Sequence, residues 1–192
     1  MVVDGSKLVR KLIGDMLARE VADAVIVPCG SIAEARQALA AFIRGYVQPQ
    51  PIPGARVLYV EDSKVVALAT KRMLERHGLQ VLHFIGVEEA LEHLEAHRDQ
   101  EDAGTDLVLT DVYLKGKLDG NDLLASLRND FGYGKRRLPV LVMTGDANPD
   151  NQSELLRMGA NDLVLKPIEE RLLVTKTLFQ LRLGKLPEPG AQ

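Results

Sequence analysis

The chain has 192 residues, 46% of them hydrophobic, and its 24 basic and 27 acidic side chains give a formal net charge of −3. This length and apolar content are typical of one folded domain, or of one domain with a fragment beside it, and exclude a largely disordered chain. The nearly balanced charge produces no strong positive field, so we expect no direct binding to nucleic acid. The basic run Lys135-Arg136-Arg137 is predicted to lie in a solvated loop.

A single cysteine, Cys29, excludes an intrachain disulfide and a metal site built from several cysteines. Its apolar neighbours predict a buried, inert thiol. No apolar run approaches the ~20 residues that a membrane-spanning helix needs. The first five residues also lack the basic segment and apolar stretch of a signal peptide. The sequence therefore predicts a cytoplasmic protein with no membrane partner.

The beginning of the chain resembles the beginning of a later part. Residues Val3–Val9 are similar to Val60–Val66, and the similarity continues along the helix predicted to follow each of them. Residues 1–44 are therefore predicted to form a partial βαβα half-unit, a truncated copy of the unit that begins near Arg56.

The half-unit is predicted to contain a strand at Met1–Val3, a helix with Ser6 as its N-cap, a strand at Ala24–Val27 and a helix at Ile32–Ile43. Residues 45–55 follow, with three prolines at alternate positions, which fit neither a helix nor a central strand. This segment is predicted to be an extended linker.

Two strands and two helices bury little apolar surface, and such a small unit is usually stabilised by a partner. We therefore expect the half-unit to dock on a neighbouring surface. The two alternatives are intramolecular docking on its own second copy and docking on another chain, as in a homodimer.

Residues 56–185 alternate five predicted strands with five predicted helices, and residues 186–192 form a tail. The predicted strands are Arg56–Val60, Gln80–Ile85, Asp106–Thr110, Leu138–Met143 and Asp162–Leu165. The predicted helices are Ser63–His77, Val87–Arg98, Asn121–Asn129, Asp150–Met158 and Glu169–Leu183. Such alternation predicts an α/β fold with a three-layer, doubly wound, parallel five-stranded sheet of the flavodoxin-like type, with strand order 2-1-3-4-5.

Polar residues follow the ends of several predicted strands. Glu61 and Asp62 follow the first strand, Asp111 the third, Thr144 the fourth and Lys166 the fifth. Taken alone, Asp111 is equally consistent with an aspartate that caps a turn. Because the carboxyl ends of parallel strands share one edge of a sheet, we expect these five side chains to converge.

Three converging carboxylates repel one another unless a cation lies among them. Mg²⁺ suits such a site because it binds a few carboxylates together with water and phosphate oxygens. Lys166 adds an ammonium group and Thr144 a hydroxyl donor, and both suit a phosphoryl group. A carboxylate such as that of Asp111 can accept a phosphoryl group as an aspartyl phosphate.

With these residues in this order, the sequence from about Arg56 to Leu183 resembles the receiver domain of two-component response regulators. The resemblance implies that Asp111 is the phosphoacceptor and Thr144 the switch hydroxyl. It also implies that Lys166, followed by a cis peptide bond to Pro167, is the ammonium of the pocket.

By the same resemblance, Mg²⁺ binds Asp62 and Asp111 directly, with Glu61 as an outer partner and the backbone carbonyl of Tyr113 completing the shell. Tyr113 and Asp146 match the positions that gate the hydrolytic water. We expect the ring of Tyr113 to hinder that water and to prolong the life of the aspartyl phosphate, although packing on a neighbouring loop explains an exposed tyrosine equally well.

Two departures from the family pattern affect this interpretation. Leu163 occupies the position where the family often has an aromatic residue that rotates on phosphorylation, so the usual rotamer switch is in doubt. The loop 112–120 lacks the common Met-Pro pair and is one residue longer, so its geometry is expected to differ.

The resemblance predicts a response regulator that is not an enzyme and whose partner is a sensor histidine kinase or a phosphotransfer protein. A C-terminal effector domain, such as a diguanylate cyclase, would lie beyond this chain. Two alternatives remain: an aspartyl-phosphate hydrolase or transferase, and an interaction-only pseudo-receiver. Enzymes of the first kind usually have an acid two residues after the nucleophile, where this chain has Tyr113. The half-unit has Asp4-Gly5 in place of Glu61-Asp62 and cannot form the pocket.

Overall fold

A computed structural model describes residues 2–3, 6–20, 28–33, 35, 52, 54–98, 100 and 102–185. The chain divides into two compact units, Met1–Gln50 and Pro51–Gln192. In the part of the chain that is described, no helix is long and apolar enough to cross a membrane.

The N-terminal unit contains two short parallel strands, β1 (Val2–Val3) and β2 (Pro28–Cys29), and the helix α1 (Lys7–Glu20). The predicted first strand and first helix are confirmed. The predicted strand Ala24–Val27, most of the predicted helix Ile32–Ile43 and the environment of the Cys29 thiol lie outside the described residues.

The C-terminal unit contains the five-stranded parallel sheet predicted from the sequence. Its strands are β3 (Arg56–Val60), β4 (Gln80–Phe84), β5 (Leu107–Asp111), β6 (Val140–Thr144) and β7 (Asp162–Leu165). Their spatial order is β4-β3-β5-β6-β7, which is the predicted order 2-1-3-4-5. The fold prediction is therefore confirmed.

Five helices connect or follow these strands. They are α2 (Lys64–Glu75), α3 (Val87–Glu95), α4 (Gly120–Ala125), α5 (Pro149–Met158) and α6 (Glu170–Lys185). The helix α4 continues into a π-helical turn at Ser126–Asp130, in which the Phe131 amide donates to the Ser126 carbonyl at 3.0 Å. The predicted helix at Asn121–Asn129 thus has the right position, but its second half is not α-helical.

Helices cover both faces of the sheet, and alternate side chains of each strand point to opposite faces. Leu58 and Val60 pack in one apolar core with residues of α3, α4 and α5. Val57 and Tyr59 pack in a second core with residues of α2 and α6. The unit is therefore a three-layer sandwich with one apolar core on each side of the sheet.

Local sequence signals fix the helix starts that border the site. Ser63 caps α2 by accepting a hydrogen bond from the Val66 amide, and Asn148 caps α5 by accepting one from the Asp150 amide. Asp119 and Asp122 form a reciprocal capping box at the start of α4. These caps set the direction of the loops that leave β3, β5 and β6.

Candidate functional site at the carboxyl edge of the sheet

The strand register brings the predicted site residues to one edge. Val60, the last residue of β3, is paired with Thr110, and Asp111 is paired with Met143. Thr144 is paired with Leu165, the last residue of β7. Glu61, Asp62, Asp111, Thr144 and Lys166 therefore lie at or just past the carboxyl ends of four strands, as the sequence pattern predicts.

Lys166 contacts two of the three carboxylates. Its Nζ lies 2.5 Å from Oδ2 of Asp111 and 3.6 Å from Oε2 of Glu61. The lysine backbone is held by a hydrogen bond from its amide to the Thr144 carbonyl, at 2.8 Å. The peptide bond from Lys166 to Pro167 is cis, as the resemblance implies. The ammonium group is thus placed between the strand-end acids.

Glu61 is the most deeply buried of these acids, with 1% of the residue exposed. Its Oε1 accepts a hydrogen bond from the Ser63 amide at 3.0 Å, whereas its Oε2 is buried without a hydrogen-bond partner. Burial raises the pKa of the Glu61 carboxyl, and the negative charges of Asp111 and Asp62 act in the same direction. The Ser63 amide and Lys166 oppose this rise in pKa. The Oε2 atom thus has the Lys166 ammonium 3.6 Å away but accepts no hydrogen bond, which leaves it able to accept one from a ligand.

Asp62, the third carboxylate, has a different counterion. Nζ of Lys115 lies 3.5 Å from Oδ2 of Asp62, whose side chain is 13% exposed. Lys115 belongs to the loop between β5 and α4, and sequence reasoning did not identify it. A sequence carries no direct signal for this contact, because the two residues are distant along the chain.

The backbone of Asp111 is held closely by Gly120, the first residue of α4. A Cβ atom at residue 120 would lie 2.0 Å from the Asp111 carbonyl oxygen and 3.0 Å from Cα of Val112. The Gly120 amide donates to the Val112 carbonyl at 3.0 Å, which closes the loop between them. The pair Asp119-Gly120 has the composition of an ordinary turn, but the structure requires a glycine at residue 120 for this close approach.

The Thr144 hydroxyl is buried and accepts a hydrogen bond from the Asp146 amide at 3.0 Å. The carboxylate of Asp146 is itself held within the loop. Its Oδ2 accepts from Nδ2 of Asn151 at 2.5 Å, and its Oδ1 accepts from the Asn148 amide at 2.8 Å. These bonds lower the pKa of Asp146, with Asn151 as the larger cause. Nε2 of Gln152 also donates to the Asp146 carbonyl, at 2.8 Å.

A cavity of about 390 Å³ opens beside Thr144, between this loop and the start of α4. Val112, Tyr113, Leu155 and Met158 contribute to its lining. Tyr113 is 69% exposed, so its ring is available to the solvent that enters the site. Leu163, on the neighbouring strand β7, is buried in the apolar core.

The donor set suits a hard cation held mostly through oxygen ligands. Among the residues described, no group of three or more histidine, cysteine, aspartate or glutamate side chains is arranged to hold a metal ion on its own. Mg²⁺ does not need such a cage, because it usually binds one or two carboxylates and keeps several waters. Glu61 Oε2, which accepts no hydrogen bond, and the neighbouring Asp62 and Asp111 carboxylates therefore fit Mg²⁺ and do not suit a metal that requires a full shell of side chains.

The family model for the response regulator receiver domain matches residues 57–178, more than half of the chain. The chain is 33% identical over 133 residues to the response regulator protein FleR of Pseudomonas aeruginosa, a match that covers 69% of this chain and 26% of FleR. It is similar to the crystal structure of a CheY-like response regulator receiver domain protein from Methanospirillum hungatei (26% identity, TM-score 0.56), over 69% of this chain and 97% of that one.

A second solved structure, that of a putative two-component system response regulator/GGDEF domain protein, is 26% identical with a TM-score of 0.61. That match covers 96% of this chain and 69% of the other. The chain spans less than half the length of curated relatives that it matches, from 16% to 49%. The similarity to curated proteins therefore concerns one module of longer proteins.

Proposed function

The chain belongs to the response regulator receiver family, and we propose that it accepts a phosphoryl group on Asp111 in a Mg²⁺-dependent reaction and thereby controls a partner or an output domain. The observation that carries the proposal is the contact between Nζ of Lys166 and Oδ2 of Asp111, at 2.5 Å, at the shared edge of the sheet. It places a positive charge beside one carboxylate oxygen at the point where the loops leave the strands.

The surroundings of the three acids favour Asp111 over the other two as the nucleophile. Glu61 is almost fully buried and uses one oxygen to accept from the Ser63 amide. Asp62 lies beside Lys115 and follows the strand instead of ending it. Asp111 is the last residue of the central strand β5, between β3 and β6, and Lys166 contacts it at hydrogen-bond distance.

In the proposed step, a carboxylate oxygen of Asp111 attacks phosphorus and forms the O–P bond of an aspartyl phosphate. With a phosphohistidine donor, the N–P bond breaks, its electron pair stays on the imidazole nitrogen, and that nitrogen takes up a proton from solvent. Lys166 stabilises the negative charge on the transferred group. The donor would be a sensor histidine kinase or a phosphotransfer protein.

Mg²⁺ would be held by Asp62, Asp111 and the backbone carbonyl of Tyr113, with Glu61 as a neighbouring acid. When bound, it would neutralise the phosphoryl oxygens during transfer. The buried Oε2 of Glu61 supports this assignment, since it accepts no hydrogen bond and Lys166 approaches it only to 3.6 Å, which leaves it able to accept from a metal-bound water.

Thr144 is proposed to report the phosphorylation. Its Oγ1 already accepts from the Asp146 amide, so its own hydroxyl hydrogen can be donated to a phosphoryl oxygen. Donation would draw Thr144 toward Asp111 and pull on the loop that Asp146 organises. Because Leu163 is buried in the core, the response is proposed to travel through this loop and not through an aromatic rotamer.

The experiment is incubation with acetyl phosphate and MgCl₂, followed by intact mass spectrometry. We expect the wild type to gain the mass of one phosphoryl group, Asp111→Asn to gain none, and the matched control Asp130→Asn to behave as the wild type. Asp130 is exposed and lies in the π-helical turn, away from the strand ends. Equal labelling of the wild type and Asp111→Asn would overturn the assignment.

The same reaction separates the receiver from the two alternatives. A hydrolase or transferase would turn over many equivalents of acetyl phosphate per protein molecule, and a pseudo-receiver would not be labelled. We propose a switch that is labelled once and has no turnover substrate. Two further proposals concern the whole protein: that it controls an output domain, and that the N-terminal half-unit docks on a partner, as in a homodimer. Both require experiments on the whole protein.

A further inference from the structure

We infer that Lys115 is a built-in competitor for Mg²⁺: its ammonium group occupies the Asp62 oxygen that the metal would use, and so weakens metal binding. The inference rests on the proposed function, because it concerns the same site. It assigns a role to a residue of the loop between β5 and α4.

The charges at the site show why Asp62 has a counterion of its own. Lys166 lies within 4 Å of Asp111 and Glu61, whereas the ion pair found for Asp62 is to Lys115, with Nζ and Oδ2 3.5 Å apart. The Asp62 side chain is only 13% exposed and lies beside two other acids. A carboxylate in such surroundings attracts a cation strongly.

The loop 112–119 is tethered so that Lys115 stays near the site. At one end Gly120 is packed against the backbone of Asp111, and its amide donates to the Val112 carbonyl at 3.0 Å. In the middle of the loop the Lys117 amide donates to Oε1 of Glu88 at 3.3 Å. Lys115 lies between Val112 and Lys117, so the backbone is attached on both sides of it.

The contact is weak enough to be displaced. The Lys115 side chain is 92% exposed, so it is hydrated in the ion pair and loses little on leaving it. Exposed ion pairs contribute little to stability. Removal of this one is therefore expected to change the affinity for Mg²⁺ by only about threefold. Mg²⁺ can therefore displace Lys115, but only at a higher free concentration than the carboxylates alone would require.

The loop offers a matched control. Lys117 lies two positions further along and is exposed, and its ammonium group has no carboxylate within ion-pair distance among the residues that the structure covers. Lys115→Met and Lys117→Met change the net charge equally, but only the first removes the contact with Asp62. Lys115→Arg keeps both the charge and the contact.

The test is isothermal titration of the full chain with MgCl₂ at constant ionic strength. We expect Lys115→Met to bind Mg²⁺ about threefold more tightly than the wild type, and Lys117→Met and Lys115→Arg to bind with nearly wild-type affinity. Measurable binding by the wild type with no change in Lys115→Met would overturn the inference and leave the proposed function in place. An equal gain in both Met variants would also overturn it, because the effect would then be one of net charge. If none of the proteins binds Mg²⁺, both the metal site and the competitor are refuted.

Discussion

Replacing Gly120 by alanine tests how firmly the structure holds the proposed phosphoacceptor. The added Cβ would lie 2.0 Å from the Asp111 carbonyl oxygen, whereas ordinary contacts begin at 3.4 Å, so the two backbones must separate by about 1.4 Å. The obstructing atoms belong to the backbone of β5 and cannot rotate away. Overpacking of this kind costs about 1–3 kcal/mol. The higher helix propensity of alanine offsets at most about 1 kcal/mol of this loss in the free energy of unfolding.

We therefore expect Gly120→Ala to lower the free energy of unfolding by about 2 kcal/mol in urea denaturation. Displacement of the Asp111 backbone should also misplace its carboxylate relative to Lys166. Misplacement by about 1 Å can slow a reaction by up to about a hundredfold. Labelling by acetyl phosphate should accordingly slow by at least about tenfold in the variant at temperatures where it is folded.

Gly134→Ala is the matched control, since a Cβ at residue 134 would meet no atom within 4 Å and the residue is exposed. The control should keep the wild-type labelling rate and a stability within about 0.5 kcal/mol of wild type. If Gly120→Ala matched the control in both measurements, the close packing of α4 on Asp111 would not be what positions the phosphoacceptor.

Three further predictions concern other parts of the C-terminal unit. Tyr113→Ala should speed the loss of phosphate from labelled Asp111, because the 69% exposed ring then no longer hinders water; equal decay rates in variant and wild type would refute this. Burial lowers the pKa of His93 in the folded protein below its ordinary value of 6.5. Between these two pKa values the unfolded chain binds more protons than the folded one, so stability is lost as the pH falls from 6.5 toward the pKa of the folded protein. His93→Gln should therefore be less sensitive than wild type to a shift from pH 8 to pH 5.5 in urea denaturation, and parallel losses would contradict this. Arg128→Met should destabilise the fold by about 3 kcal/mol, because it removes the donor for the carbonyls of Gly159, Tyr133 and Leu138, whereas the exposed Arg157→Met should cost less than about 0.5 kcal/mol.

The sheet and its order could be predicted because the relevant signals are local and repeated. Each buried strand is a short apolar run such as Leu107–Asp111, and alternation with helices restricts the topology to a few parallel arrangements. The convergence of Glu61, Asp111 and Lys166 then followed from one rule, that parallel strands end at the same edge.

The loop contacts could not be predicted, because they join residues through geometry that no local pattern encodes. The ion pair of Lys115 with Asp62 depends on how far the loop after β5 folds back over the edge. The binding of Asp146 by Asn148 and Asn151 depends on the direction in which α5 leaves its loop. The sequence signals at these positions, polar residues near a helix start, are common to most loops.

The π-helical turn after α4 is a third feature that the sequence pattern missed. Ser126–Asp130 has the composition of an ordinary helix end, yet the Phe131 amide donates to the Ser126 carbonyl five residues earlier. Arg128 lies in this turn and donates to the carbonyls of Tyr133, Leu138 and Gly159. Burial lowers the pKa of Arg128 to about 10, because the charged guanidinium loses hydration where it binds the three carbonyls. The wider turn therefore serves the core and not the site.

The two sides of Asp111 differ in how easily they can be rearranged, and this difference suits a switch. On one side, the packing of Gly120 and the hydrogen bond from the Thr110 hydroxyl to the Asp111 carbonyl fix the backbone. On the other side, the loop after β6 is held by hydrogen bonds from the Asp146 amide to Thr144 and from Asn148 and Asn151 to the Asp146 carboxylate, each worth roughly 1 kcal/mol. A phosphoryl group adds a charge of about −1.5 to −2 and strong acceptor oxygens, enough to replace one or two such bonds. The acid that reacts is thus held rigidly, while the loop that responds can move at an energetic cost that phosphorylation can supply.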